Sequence, residues 1–70
     1  MILMDILWDP KLEESTTIDL FRLTESGDEI YVESGAWTAD KILCYAENSV
    51  HSFSYNADQD RLKCVVLNDN

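Results

Sequence analysis

Two stretches of this chain alternate apolar and polar side chains on both sides of a turn signal, and that alternation constrains the fold most. The first runs from Thr16 to Gly35 with Ser26-Gly27 at its middle. Glycine supplies the positive φ that tight turns need. Folding there sets Leu23 opposite Ile30 and Phe21 opposite Val32, with all four on one face. Arg22, Thr24, Glu29, Tyr31 and Glu33 fall on the opposite face. A one-residue slip would destroy this agreement. A helix starting after Ser15 is the competing reading, with Ser15 or Thr16 as its cap. The second stretch runs from Val50 to Leu67 around Asn56 to Asp60. Folding about Asp58-Gln59 sets Tyr55 opposite Leu62, Phe53 opposite Cys64 and His51 opposite Val66. Aromatic–aliphatic cross-strand pairs of this kind stabilise sheets. Cys64-Val65-Val66-Leu67 is apolar on both faces, which suits an inner strand.

Between the hairpins, Thr38 to Glu47 reads as a helix. Thr38 can cap it, and Asp40 sits in the first turn, where the helix dipole favours a negative charge. Ala39, Ile42, Leu43 and Ala46 form one apolar stripe at helical spacing. Asn48 can end the helix in the left-handed conformation. At the start of the chain, Met1 to Trp8 reads as a strand with Ile2, Met4, Ile6 and Trp8 on one face. Asp9-Pro10 ends it, because proline lacks the ladder donor. Lys11 to Ser15 is a polar loop, and Asn68-Asp69-Asn70 is a frayed tail. The order strand, hairpin, helix, hairpin gives an α+β class. We expect a largely antiparallel sheet of four to five strands with one helix packed on one face. Residues 1–70 make a single domain.

Charge narrows the function. Fourteen carboxylates face five basic side chains, for a formal net charge of −9. Such an excess repels itself and weakens the compact state. A domain this small buries about 60% of its unfolded surface and has little stability in reserve. Yet 46% of the residues are hydrophobic, Trp8, Trp37, Phe21 and Phe53 among them, which separates the chain from disordered acidic sequences. The charge therefore sits on a folded surface and points to a positively charged protein partner. Direct binding to nucleic acid or to an anionic membrane is disfavoured, since both are negative. No stretch approaches the ~20 apolar residues of a membrane span. Met1 to Met4 is too short, and too poor in basic flanks, for a signal peptide. The expected location is the cytoplasm.

No residue pattern supports catalysis or a cofactor. His51 lacks an evident nucleophile and orienting acid and reads as a partly buried packing residue. Cys44 and Cys64 show no close ligand pairing for zinc and are expected to be reduced. Asp58 and Asp60 resemble part of a calcium loop, but Arg61 and Leu67 occupy the places of the required glycine and glutamate. With Gly27 and Gly35 alone there is no phosphate-binding glycine loop. The expectation is a binding protein, not an enzyme.

The candidate partner-binding residues are acidic. Glu13 and Glu14 form a knob on the first loop, for which a solvated loop is the plainer reading. Asp58 and Asp60 lie in the second hairpin's turn. Glu29, Tyr31 and Glu33 would place two carboxylates around one aromatic ring, about 6.6 Å between neighbours. Such intervals are comparable to those between phosphates along a nucleic-acid strand. An ordinary solvent face with Arg22 paired to a glutamate is the alternative. Tyr31 or Trp37 would serve as the anchor, since tyrosine and tryptophan are enriched at interface hot spots.

In its length, its −9 charge, its lack of catalytic motifs and its compact α/β pattern, the chain resembles small acidic inhibitors of phages and mobile elements. These include anti-CRISPR proteins and other nucleic-acid mimics. The resemblance implies an inhibitor that occupies the basic surface of a nucleic-acid-binding protein or complex. It assigns no residue a role. An immunity or antitoxin protein that neutralises a basic toxin or nuclease is the second reading. A non-catalytic subunit of a larger assembly is the third.

Overall fold

The structure, a computed structural model, describes residues 1–9, 12, 13 and 15–67. The expectations for Pro10, Lys11, Glu14 and the 68–70 tail lie outside these residues. The elements are helix α1 (Leu3–Leu7), strands β1 (Thr17–Leu23) and β2 (Glu29–Ala36), helix α2 (Asp40–Leu43), and strands β3 (Val50–Asn56) and β4 (Arg61–Val66). The strands form one sheet in the order β2-β1-β4-β3. Both hairpins are antiparallel, while the central pair β1–β4 is parallel, with Ile18 beside Leu62 and Leu20 beside Cys64. The fold is a small α+β domain with a mixed sheet and two short helices.

One face of the sheet makes the core. Ile18 and Leu20 from β1 meet Leu62, Cys64 and Val66 from β4, and Leu3, Ile6, Leu7 and Ile42 close over them from the helices. β4 is buried on both faces, Val65 included, as its apolar run predicts. Trp37 packs against the same core, and its indole N–H finds no acceptor among the described residues.

The opening segment is a correction. Met1 to Trp8 is not a strand. Ile2 makes one isolated bridge to Ser49, and a helix follows. Leu3, Ile6 and Leu7 are the buried set, at helical spacing, while Trp8 is 74% exposed. The helix stands because its first amide groups find acceptors: Leu3 N–H donates to the Asn48 carbonyl and Met4 N–H to that of Ala46. Asp5 accepts the Ile2 N–H at 3.0 Å. These bonds satisfy donors that a helix start leaves without partners.

α2 is shorter than the stretch from Thr38 to Glu47. It covers Asp40–Leu43, starts after Ala39 instead of Thr38, and passes into turns over residues 44–47. Ile42 and Ala46 are buried, and Ala39 and Leu43 pack beside them, so the apolar stripe serves its expected purpose. Asn48 does not take the left-handed conformation. It is buried, and its amide donates to the Leu67 carbonyl at 2.9 Å.

The first hairpin is strand, not helix, and its register shifts once. The turn holds three residues, because Thr24 N–H donates to the Asp28 carbonyl around Glu25-Ser26-Gly27. Gly27 has φ +90°, as the left-handed position of a three-residue loop requires. Leu23 therefore faces Glu29 and Phe21 faces Tyr31, not Ile30 and Val32. Between Leu20 and Phe21 the register shifts, and Val32 is the extra residue of a bulge. Below it, Leu20 faces Glu33 and Ile18 faces Gly35, the register that Ser26-Gly27 implied. In the second hairpin the pairs Tyr55–Leu62 and Phe53–Cys64 form as expected. A shift at His51 then sets Val50, not His51, opposite Val66.

Candidate functional site

The bulge at Val32 decides where the expected acidic row goes. Glu29 and Tyr31 lie on the open face of the sheet, on the same side as Phe21. Glu33, beyond the bulge, points to the helix side. The three do not form one face, because the extra residue flips the alternation between Tyr31 and Glu33. Their charges are also compensated. Lys63 Nζ lies 2.7 Å from Glu29 Oε1, and Lys41 Nζ lies 3.6 Å from Glu33 Oε1.

The open face is a balanced polar and aromatic surface. Phe21 and Tyr31 meet edge-on with ring centroids 5.6 Å apart, and Lys63 Nζ sits 4.9 Å from the Phe21 centroid. Arg61 grips Asp19 with two bonds of 2.6 and 2.8 Å. Tyr31 OH donates to Ser34 Oγ, which donates in turn to Asp19 Oδ1. The Arg61 guanidinium, aided by the Ser34 hydroxyl, holds the Asp19 carboxyl below its usual value against the effect of burial. Two acids and two bases cancel here, so this face is not the anionic surface that the composition implies.

A second group of acids lies on the other side, beside α1 and β3. A cavity of about 640 Å³ opens there. Ile6, Leu12, Ala57 and Leu62 give it apolar walls, the rings of Phe53 and Tyr55 line one side, and Asp9, Glu13 and Asp60 are its carboxylates. Among the described residues no lysine or arginine lines it. Phe53 and Tyr55 stand here because they pair with Cys64 and Leu62 and so share the core face, but at the sheet's edge, where the helices leave them half uncovered.

Asp60 is the best-held acid of the site. It receives hydrogen bonds from Thr16 Oγ1 at 2.7 Å, Ser15 Oγ at 2.9 Å and Tyr55 OH at 2.9 Å. These hydroxyls, Thr16 first, hold its carboxyl below the usual carboxylate value. Asp60 in turn pushes the Tyr55 phenol above its ordinary value. The carboxylate is thus kept ionised by neutral donors and retains its charge for a partner. Glu13 accepts a long 3.5 Å bond from Ser15.

Of the expected partner-binding residues, the structure brings together Glu13 and Asp60. Asp58 is exposed in the adjoining β3–β4 turn, where its N–H is held by the Asn56 side chain at 3.0 Å. Glu14 lies outside the described residues. Glu29, Tyr31 and Glu33 lie elsewhere. Phe53, Tyr55, Leu12 and Asp9 are site residues that the sequence reading did not select for binding. The signal that could have found them is Phe53 and Tyr55 on an edge strand, opposite core residues.

The groups with reactive chemistry are apart from this cavity. His51 is exposed at the β3 bulge, not partly buried as expected, because the register shift releases it from Val66. Cys44 is exposed and Cys64 buried, and both are free. Burial, with help from Asp19, pushes the Cys64 thiol up to about 12, so it stays protonated at neutral pH. Among the described residues no cluster of three His, Cys, Asp or Glu could hold a metal ion, and no helix is long and apolar enough to cross a membrane. Comparison with protein-family models, with curated proteins and with solved structures gives no match for this chain.

Proposed function

We propose that this protein is a small acidic inhibitor that binds a basic, nucleic-acid-binding protein or complex in the cytoplasm and occupies the surface meant for nucleic acid. Counter-defence of the anti-CRISPR type is its most specific form. One observation carries the reading: the structure's ion pairs consume the acids of β1 and β2, while Glu13 and Asp60 stand beside an apolar cavity that no lysine or arginine among the described residues lines. Carboxylates so placed steer a cationic partner and speed its arrival. The aromatic and apolar walls supply the grip that charge alone lacks. The protein acts by occupancy, without catalysis, and needs no cofactor. The row Glu29, Tyr31, Glu33 is not part of the proposed surface.

The test begins with the intact chain as bait in a host lysate, followed by identification of what it holds. The isolated partner's affinity is then measured across a salt series, with and without its nucleic acid. We expect affinity to fall steeply with salt and nucleic acid to compete. Simultaneous binding of both, or affinity indifferent to salt, would remove the reading. The cavity also favours a second reading, an immunity or antitoxin protein, since a concave apolar site suits a protruding side chain of a basic toxin. Rescue of a toxin's activity by its nucleic-acid substrate would not separate the two, but the identity of the captured protein would.

A further inference from the structure

We propose that the cavity between α1 and β3 receives a large apolar side chain from an extended, basic segment of the partner, laid along the free edge of β3. The inference rests on the acidic-binder reading of the same site and names what enters it.

The sheet has two edges, β2 and β3, and they are built differently. β2 carries Glu29 and Glu33, both ion-paired, and a bulge in mid-strand. Charges and bulges are the devices that keep an edge from pairing with another chain. β3 reads Val-His-Ser-Phe-Ser-Tyr-Asn, with no acid, lysine, arginine or proline in a chain of net charge −9. Its irregularity sits at His51, at the end already covered by Met1 and Ile2, where Val50 N–H donates to the Met1 carbonyl. Residues 52–56 run regularly, and among the described residues no strand lies beside their outer flank.

An extended segment added to such an edge gains main-chain hydrogen bonds, while pockets for alternate side chains set its specificity. Every second side chain of the added strand would face the helix side, where the cavity lies. The volume of about 640 Å³ suits one large side chain with parts of its neighbours. It lies within the roughly 300–1,000 Å³ of ordinary ligand pockets. The Phe53 and Tyr55 rings, 52% and 55% exposed, are available to cover the incoming group. Glu13 and Asp60 line the same cavity and meet bases at the flanking positions. Charge complementarity thus selects arginine or lysine two residues to either side of the apolar one.

The test uses the full chain, isotopically labelled, and three blocked peptides followed by amide chemical shifts. They are Arg-Thr-Trp-Thr-Arg, Arg-Thr-Gly-Thr-Arg and Glu-Thr-Trp-Thr-Glu. We expect the first to produce saturable shifts at residues 53–56 and at Leu62. The glycine peptide should bind at least about tenfold more weakly, since burial of a large apolar side chain is lost. The acidic peptide should not bind. Ala57→Trp, an exposed position at the cavity wall, should weaken the first peptide about as much while leaving the circular dichroism spectrum intact. Equal affinity for the tryptophan and glycine peptides would overturn the cavity proposal and leave charge-led docking standing. Shifts confined to the open face or to the Glu25–Asp28 turn would overturn it as well. Absence of binding by either basic peptide would overturn both the cavity and the edge.

Discussion

Asp60 ties three parts of the chain together with one carboxylate. It accepts from Ser15 and Thr16 before β1 and from Tyr55 on β3, and its carbonyl accepts the Thr17 N–H. It does so at φ +51°, a left-handed conformation that aspartate and asparagine tolerate better than other side-chain-bearing residues. Asp60→Ala should lower the melting temperature, because it removes the acceptor and keeps the strained backbone. Asp60→Asn should lower it less. A pH profile checks the same contact. The folded-state values of Asp60 and Asp19 are depressed, so their stabilisation is complete above the usual ~4 of a free aspartate. It is lost as pH falls through their lower folded values. The folded-state value of Tyr55 is raised, so its contribution holds below the usual ~10 and is lost as pH climbs through the higher folded value. Melting temperatures from pH 2 to 11 should therefore fall at both ends, and Asp60→Ala should soften both falls. A profile unchanged by the substitution would show that the carboxylate does not hold the site. The sequence marks Asp60 as a turn residue and an acid. It cannot show the hydroxyls that grip it, because Ser15 and Thr16 approach from more than forty positions away.

At the scale of the elements, α1 shows how a short apolar run misleads. Met1 to Trp8 fits period two through Ile2, Met4, Ile6 and Trp8. It fits the helical spacing equally through Leu3, Ile6 and Leu7. A five-residue helix has no stability of its own. It exists because the carbonyls of Ala46 and Asn48 complete its first turn, and no local signal encodes that. Leu7→Ala should cost about 2–5 kcal/mol, as for other buried leucines, whereas Trp8→Ala should change stability by less than ~0.5 kcal/mol. Denaturant unfolding of the two variants decides between helix and strand, since a strand would reverse their order. The hairpins were legible because their pairing is local and alternation reports it. The bulge at Val32 was not, since it compensates a turn one residue longer than Ser26-Gly27 suggests. Gly27→Ala should cost about 1 kcal/mol through its positive φ, with open space around the added methyl group.

For the molecule as a whole, a net charge of −9 sets repulsion among many acids against few ion pairs. The pairs Lys41–Glu33 and Lys63–Glu29 are exposed, and such pairs contribute little. Salt screens exposed charges beyond about 10 Å at 0.1 M. Sodium chloride added to 0.2 M should therefore raise the melting temperature by a few degrees, as scanning calorimetry would show. A fall would mean that Arg61–Asp19 and its neighbours matter more than the net charge. The parallel seam carries a different consequence. β1 and β4 pair along their length, yet Ile18 and its neighbour Leu62 are 44 positions apart in the chain. During synthesis the first hairpin leaves the ribosome with one flank of β1 bare. It waits in that state until Arg61–Val66 have followed. Until then the nascent hairpin lacks its inner neighbour, so its shelter from proteases and chaperones depends on residues translated more than forty codons later.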